Sequence, residues 1–447
     1  MDLIAEWHAL LRPDEELTPR FTTAFAASMR AQKLTFGHRV HCPFLRPFFL
    51  SAADEARIRV AAETLAALGE RVVQAAMQSE DLYEHLGMTE AEDPLLNIDP
   101  GYRTTSTTSR LDAFLLPDSL HFAEYNAESP AGVGYTQRLC ELFDATAIME
   151  RFRAQRQVSY HRVIDALLEA LVASYREWGG TAAPPTIGIV DWREVPTWTE
   201  FEVLRDAFKA AGVPTVVCDP RELVFAHGKL VAQGVRIDLV YRRVLVNDIV
   251  ARPAECKALV DACAARAVCM ANSFRCKLAH KKAFFAVLTD PAYESMFSRA
   301  ELDIINAHVP WTRVLNDDVT QKGEWRGDLL ELVRAWRENL VLKPNDEYGG
   351  KGVTLGWETS ESDWATAMES ALDDPYGTWI VQERIPIRRE VFPQFDPQGR
   401  VSMSDMLVDL APYLFRGRMG GYLTRLSGSG LANVTSGGGQ VPAFVIA

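Results

Sequence analysis

The sequence lacks the residue pairs that usually bind zinc or build a disulfide framework. Its seven cysteines never stand as C-x-x-C, and its nine histidines never form H-E-x-x-H. We therefore expect neither a zinc site nor a set of disulfides. Each cysteine is interpreted as a small buried apolar residue.

Long apolar runs and concentrated positive charge are also missing. No uninterrupted apolar run approaches the roughly 18 residues of a membrane span, and the first residues lack the basic segment and cleavage site of a secretory signal. The net charge is -13, and no segment collects the 47 lysines and arginines into a basic stripe. We expect a cytoplasmic protein that binds neither a membrane nor nucleic acid.

The length of 447 residues exceeds that of one ordinary domain, which is about 100 to 200 residues. After Ala183-Pro184-Pro185 the pattern changes to strands alternating with a helix, in the order TIGIVD, TEFEVLRDAFKAAG, TVVCD and IDLVYRRV. This alternation predicts a small parallel α/β unit over 181–270, with ligand-binding groups at the carboxyl ends of its strands. Residues 1–180 would then form a helical segment plus a hairpin, and residues 271–447 would carry a glycine-rich loop.

The predicted hairpin consists of RLDAFLLP and HFAEYN, which are separated by the turn residues Pro117-Asp118-Ser119. Glu124 and Asn126 are two residues apart on one strand and therefore share a face, which Asp112 on the partner strand can also reach. Two carboxylates and an amide on one face favour a bound cation between them. A solvated hairpin face is the alternative interpretation.

The stretch VLKPNDEYGGKG, at 341–352, combines a strand lysine with a glycine-rich loop. It does not match the G-x-x-x-x-G-K-[ST] phosphate loop, because Asn345 lies five residues before Gly350 and Gly352 follows Lys351. It does not match the G-x-G-x-x-G fingerprint either, because that spacing reaches Leu355. The stretch predicts a lysine fixed at a strand end and a loop whose backbone N–H groups can close over phosphate oxygens.

Together these motifs resemble the circularly permuted ATP-grasp ligases, which include eukaryotic-type glutathione synthetase and glutathionylspermidine synthase. The similarity covers roughly 102–447: the R-x-D and E-x-N strands, the 186–244 segment, the lysine and glycine loop, and GGYLTRLSGSGLANVTSGGG. The metal-binding acids precede Lys343, which is the permuted order. The resemblance implies an α/β (α+β) protein with an ATP-grasp fold in circularly permuted order and an inserted Rossmann-like substrate domain.

The resemblance also implies roles for individual residues. ATP and Mg2+ are the expected ligands, Arg110 would stabilise developing negative charge, and Arg242 and Arg425 would bind a substrate carboxylate. Ser129 would contact substrate. The expected Mg2+ ligands are Asp112, Glu124, Asn126 and Glu347; the expected ATP-binding residues are Lys343, one of Lys281 and Lys282, Gly349, Gly350, Lys351, Gly352, Gln382 and Glu383.

The implied activity is an ADP-forming carboxylate–amine ligation through an acyl phosphate, with a small-molecule or peptide carboxylate and an amine acceptor. A phosphotransferase and a non-catalytic nucleotide-binding module are the alternatives. Relatives in this superfamily are often homodimers. Asp346 stands where the family loop often has arginine, and Lys351 lies inside the glycines, so the identity of the substrates does not follow from the resemblance.

Overall fold

The computed structural model describes residues 2–375, 377–428 and 438–447, and it shows a mixed α/β protein with several sheets. The central sheet carries the predicted hairpin at one edge. Most of the predicted closing glycine loop, 429–437, lies outside the described residues. The strands of the central sheet are, in spatial order, Gly439–Val441, Arg418–Ser427, Val401–Phe415, Thr108–Leu115 and Leu120–Asn126, with Arg389–Phe395 paired to Val401–Phe415.

One face of the hairpin packs against the long helix Ala52–Ala76. Ser51 caps this helix by accepting the Asp54 N–H at 3.0 Å. The helix can approach closely because residue 69 is glycine: an added Cβ there would lie 2.9 Å from the ring of Tyr125. Since side chains alternate along a strand, burial of the Tyr125 face turns the opposite face of the hairpin toward a cleft.

The 181–270 region contains a four-stranded parallel sheet beside a small antiparallel sheet over 224–237. The strands of the four-stranded sheet all run in the same direction, which places the Asp191 and Arg243 ends at one edge. Arg243 donates to the carbonyl oxygen of Pro130 at 2.7 Å, which shows that this edge lies beside the segment that follows the hairpin. The assignment of this sheet to an inserted Rossmann-like domain stays a prediction. The strands are, in spatial order, Cys269–Ala271, Leu239–Arg242, Ile187–Val190 and Thr215–Cys218.

An antiparallel sheet, here called the lysine sheet, faces the hairpin across the cleft. Leu340 and Leu342 point away from the cleft into an apolar cluster with Trp364. The alternating residues Val341 and Lys343 therefore lie on the cleft side. The strands of the lysine sheet are, in spatial order, Thr312–Val314, Trp379–Glu383, Leu340–Pro344 and Thr354–Leu355.

Helices and small sheets cover these layers. The helices, beyond Ala52–Ala76, are Leu3–Leu10, Pro19–Ala31, Glu80–His85, Asp93–Leu96, Val133–Asp144, Ala147–Arg153, Val163–Glu177, Trp198–Ala210, Val246–Ala251, Pro253–Ala264, Cys276–His280, Ala283–Thr289, Arg299–His308, Leu329–Ala335 and Glu361–Leu372. The remaining strands are Thr35–Phe36, Arg39–Val40, Phe48–Ser51, Val158–Ser159, Val224–Ala226, Lys229–Ala232, Val235–Ile237, Val319–Lys322, Trp325–Asp328 and Ala443–Ile446. Within the described ranges, no helix is both long and apolar enough to cross a membrane.

Candidate active site

The cleft face of the hairpin carries the predicted charged residues in the predicted arrangement. Arg110 lies opposite Asn126, and Asp112 lies opposite Glu124. Asn126 Nδ2 donates to Glu124 Oε1 at 3.0 Å, and Arg110 Nε donates to Asp112 Oδ1 at 2.9 Å. A bulge at Ala123 follows, because Asp112 pairs with Glu124 while the next residue pairs with Phe122.

Asp112 is held by two arginines. Its Oδ2 accepts Arg425 at 2.5 Å, and Arg425 also bonds the buried Asp409 at 2.6 Å from the neighbouring strand. Although burial opposes ionisation, Arg110 and Arg425 lower the pKa of Asp112. Burial, reinforced by the charge of Asp112, raises the pKa of Asp409 to about 6, against the lowering effect of Arg425. Asp112 is thus ionised and strongly paired.

Two lysines approach the hairpin from the other side of the cleft. Lys282 Nζ lies 3.6 Å from Glu124 Oε2, and Lys343 Nζ lies 3.4 Å from the carbonyl oxygen of the bulged Ala123. Lys343 also donates to Gln382 Oε1 at 2.6 Å. Burial lowers the pKa of Lys343 to about 8, against the favourable charge of Glu124. Both ammonium groups therefore border the face that carries Glu124 and Asn126.

The structure separates Lys281 from Lys282, which the sequence could not do. Lys281 Nζ binds Glu92 at 3.0 Å and Asp346 at 2.8 Å, and its side chain is only 3% exposed. It points behind the glycine loop rather than toward Glu124. Lys282 is therefore the lysine of this pair in the cleft.

The glycine loop is here defined as residues 345–353. Gly349, Gly350 and Gly352 have φ of 67°, 77° and 73°, a left-handed backbone that glycine adopts without strain. Lys351 is 76% exposed and pairs with Glu347 Oε1 at 2.8 Å. These two side chains neutralise each other at the loop surface, so the structure does not join Glu347 to the Asp112 and Glu124 pair.

The predicted ATP-binding residues Gln382 and Glu383 lie at the end of strand Trp379–Glu383. Gln382 is buried, holding Lys343 and donating to Thr312 Oγ1 at 3.1 Å. The Glu383 carboxylate pairs with Lys322 at 2.8 Å. The Gln382 side chain thus orients Lys343 on the cleft side. Glu383 pairs in register with Leu340, so its side chain lies on the opposite face of the sheet, away from the cleft.

Arg242 does not occupy the position that its predicted role requires. Its guanidinium is fully buried, bonded to Glu128 at 2.9 Å and to the Val244 carbonyl at 2.7 Å. A substrate carboxylate cannot reach it without displacing these partners. The neighbouring Arg243 lines the pocket instead. The Ser129 hydroxyl donates to the Arg243 carbonyl at 2.9 Å, so it fixes this segment.

A pocket of about 410 Å³ lies between the hairpin, the edge of the parallel sheet and the glycine loop. Its lining combines guanidinium groups with carboxylates that the sequence analysis did not select, namely Asp191 and Asp248. His280 also lines it, and burial, reinforced by Lys277, lowers the pKa of that imidazole to about 4. Its charged lining residues are Arg110, Glu124, Asp191, Arg243, Asp248 and Arg425.

The hairpin donors fit a divalent cation that keeps water or phosphate ligands. Among the described residues, no three His, Cys, Asp or Glu side chains are grouped so as to hold a metal ion by themselves. Mg2+ is commonly bound by one or two carboxylates together with substrate phosphates and water. Glu124 and Asn126 offer a carboxylate and an amide oxygen on one face, and Asp112 is less available because both its oxygens accept from arginines.

Comparisons with known proteins identify the fold. No protein-family profile matches the chain. A glutathione synthetase-like effector from Globodera pallida, solved in its apo form, superimposes with a TM-score of 0.61 over 97% of this chain and 99% of its own, at 12% identity. The chain shares the fold of that protein. This supports the general fold prediction, whereas the circular permutation stays a prediction.

Curated relatives add sequence similarity without a function. Uncharacterised proteins of Mycobacterium tuberculosis strain H37Rv and of Mycobacterium leprae are each 24% identical to this chain, over 357 and 352 residues. The matches cover 72% of this chain but only 57% and 56% of those proteins. The chain therefore spans little more than half the length of the curated relatives it matches.

Proposed function

We propose that the protein is an ATP-dependent carboxylate–amine ligase that forms an amide bond through an acyl phosphate and releases ADP and phosphate. One observation carries the proposal: Glu124 lies between two lysine ammonium groups on one side and an arginine-lined pocket on the other. A nucleoside triphosphate and a substrate carboxylate would meet beside Glu124. The shared fold with a glutathione synthetase-like protein supports the same reading, although a fold alone does not define a reaction.

The cleft residues can oppose the repulsion between a carboxylate and ATP. Lys282 and Lys343 would hold phosphate oxygens, and Glu124 with Asn126 would hold Mg2+. Bound Mg2+ would neutralise charge on the phosphates. These groups act by electrostatics and positioning, so the chain needs no nucleophile of its own for phosphoryl transfer.

The pocket residues can orient the carboxylate substrate. Arg243, buried with 6% exposure, is anchored by the Pro130 carbonyl and the Tyr241 hydroxyl and can bind a carboxylate through its remaining donors. Arg110 and Arg425 would stabilise negative charge as the acyl phosphate forms and as the amine attacks it. Asp191 and Asp248 add negative charge to the same wall, which favours a substrate that also bears a cationic group.

Hydroxylamine trapping tests the proposal. The protein is incubated with ATP, Mg2+, hydroxylamine and a panel of amino-acid and peptide carboxylates, and hydroxamate and ADP are measured. A hydroxamate formed with stoichiometric ADP supports the ligase. ADP accompanied by a stable phosphorylated product and no hydroxamate from any acid would indicate the phosphotransferase instead.

A matched pair of variants assigns the activity to the cleft. Glu124→Gln keeps the side-chain size but removes the carboxylate, so ADP formation should fall at least a hundredfold. Glu361→Gln alters an exposed glutamate on the helix Glu361–Leu372 and should leave the rate unchanged. Full activity in Glu124→Gln would refute the site assignment.

A further inference from the structure

Two buried lysines form a chain of ion pairs behind the glycine loop, and Asp346, whose side chain is 20% exposed, is the central carboxylate of this chain. Lys277 Nζ donates to Asp346 Oδ1 at 2.6 Å, and Lys281 Nζ donates to Asp346 Oδ2 at 2.8 Å. The two lysines come from the helix Cys276–His280 and the residue that follows it. Asp346 therefore ties the start of the loop to this helix.

Each lysine has a second carboxylate partner elsewhere. Lys281 bonds Glu92 at 3.0 Å, and Lys277 lies 3.4 Å from Glu128. Lys277 is 1% exposed and Glu128 is fully buried. Consequently, loss of the Asp346 charge leaves both ammonium groups paired, while the loop loses its ionic attachment.

The residues on either side of Asp346 both contact Lys282. The Asn345 carbonyl accepts the Lys282 backbone N–H at 3.0 Å, and the Glu347 carbonyl accepts Lys282 Nζ at 2.5 Å. The Asn345 side chain is buried and bonds the Ala283 N–H and the Leu86 carbonyl, each at 2.8 Å. The start of the loop thus supplies two of the hydrogen bonds that hold Lys282 beside Glu124.

We propose that Asp346 is a positioning residue for phosphate binding. By tying the loop to Lys277 and Lys281, it sets the Glu347 carbonyl at the place where that carbonyl holds the Lys282 ammonium group toward Glu124. The inference rests on the proposed function, because it assigns ATP phosphates as the ligand of Lys282. Asp346 itself need not touch the nucleotide.

Glu92 is a second carboxylate of these ion pairs, and its loss should have a different effect from the loss of Asp346. Glu92 and Asp346 share Lys281, but among the described residues the Glu92 carboxylate bonds Thr89 and Lys281, neither of which belongs to the glycine loop. Removing either charge perturbs the same lysine. Only removal of the Asp346 charge should affect the position of Lys282.

The test measures Mg2+-dependent binding of a fluorescent ATP analogue to the wild-type chain, Asp346→Asn and the matched control Glu92→Gln. Asp346→Asn should weaken nucleotide binding at least tenfold and raise the KM for ATP similarly, with the KM for the carboxylate changed less than twofold. Glu92→Gln should bind nucleotide within twofold of wild type. Equal nucleotide binding by Asp346→Asn and wild type, or equal weakening by both variants, would overturn the inference.

Asp346→Glu keeps the charge and gives a second measurement. It should restore nucleotide binding to within about threefold of wild type, because a longer carboxylate can still pair with both lysines. Binding as weak as that of Asp346→Asn, in a folded protein, contradicts the inference. If the wild-type chain binds no ATP, the proposed function fails; if only the variants depart from expectation, the inference alone fails.

Discussion

Asp191 offers a quantitative test of how the pocket is built. Its carboxylate follows the strand Ile187–Val190 and is only 7% exposed, and its Oδ1 accepts the Trp192 N–H at 2.8 Å. Burial raises its pKa from 3.8 to about 6, against the lowering effect of Arg243. The folded protein therefore carries an ionised carboxylate at neutral pH at a cost in stability.

The sign and size follow from the two pKa values. Because the pKa of Asp191 is higher in the folded than in the unfolded chain, protonation of Asp191 favours folding. This contribution to stability is fully present below pH 3.8 and is lost as the pH rises to about 6. A difference of about two pKa units corresponds to about 3 kcal/mol. Asp191→Asn cannot ionise and retains the acceptor for Trp192, so it should be more stable than wild type by about 3 kcal/mol at neutral pH and above, and by about 1 kcal/mol near pH 4.5.

Urea unfolding, followed by tryptophan fluorescence, measures the difference in stability between Asp191→Asn and wild type at neutral pH and near pH 4.5. Asp219→Asn is the control, because Asp219 is buried but Arg221 lowers its pKa despite the opposing effect of burial. That variant should be less stable than wild type at neutral pH, which is the opposite sign. If Asp191→Asn is no more stable than wild type at neutral pH, or if its gain is the same at both pH values, the reasoning about Asp191 is refuted.

Three further predictions concern neighbouring residues. Lys282→Ala should abolish nucleotide binding in a fluorescence titration, whereas Lys281→Ala should chiefly lower the melting temperature; the reverse pattern would contradict the assignment. Arg242→Met should destabilise the fold by about 3 to 5 kcal/mol in urea unfolding, because it leaves Glu128 without its buried guanidinium partner. Arg243→Lys should change unfolding by less than about 1 kcal/mol but raise the KM for the carboxylate at least tenfold, because it removes bidentate binding; an unchanged KM would exclude Arg243 from the site.

The hairpin was predictable because its information is local. Alternation along a strand assigns Glu124 and Asn126 to one face, and the turn at Pro117-Asp118-Ser119 brings Asp112 opposite. In the structure, Asp112 pairs with Glu124 and Arg110 pairs with Asn126 across the two strands. Asp409 was missed because its pairing with Arg425 joins two strands whose register no local motif specifies.

The lysine and arginine pairs could not be resolved from sequence for a different reason. Lys281 ends the short helix Cys276–His280 with an extended ψ of 134°, so Lys281 and Lys282 diverge at a helix end that no motif marks. Arg242 and Arg243 are consecutive at a strand end and point to opposite faces, and the sequence alone did not show which of the two borders the pocket. Asp191 was within reach, because it follows an apolar strand at the edge where parallel sheets bind ligands.

Transfer of labelled oxygen tests the central claim most directly. A carboxylate substrate found in the hydroxylamine panel is labelled with heavy oxygen in its carboxyl group and turned over with ATP and an amine. If the carboxylate attacks the γ-phosphoryl group, one labelled oxygen should appear in the released phosphate, as measured by mass spectrometry. Amide formation with unlabelled phosphate would contradict the acyl phosphate route and the ligase mechanism built on this cleft.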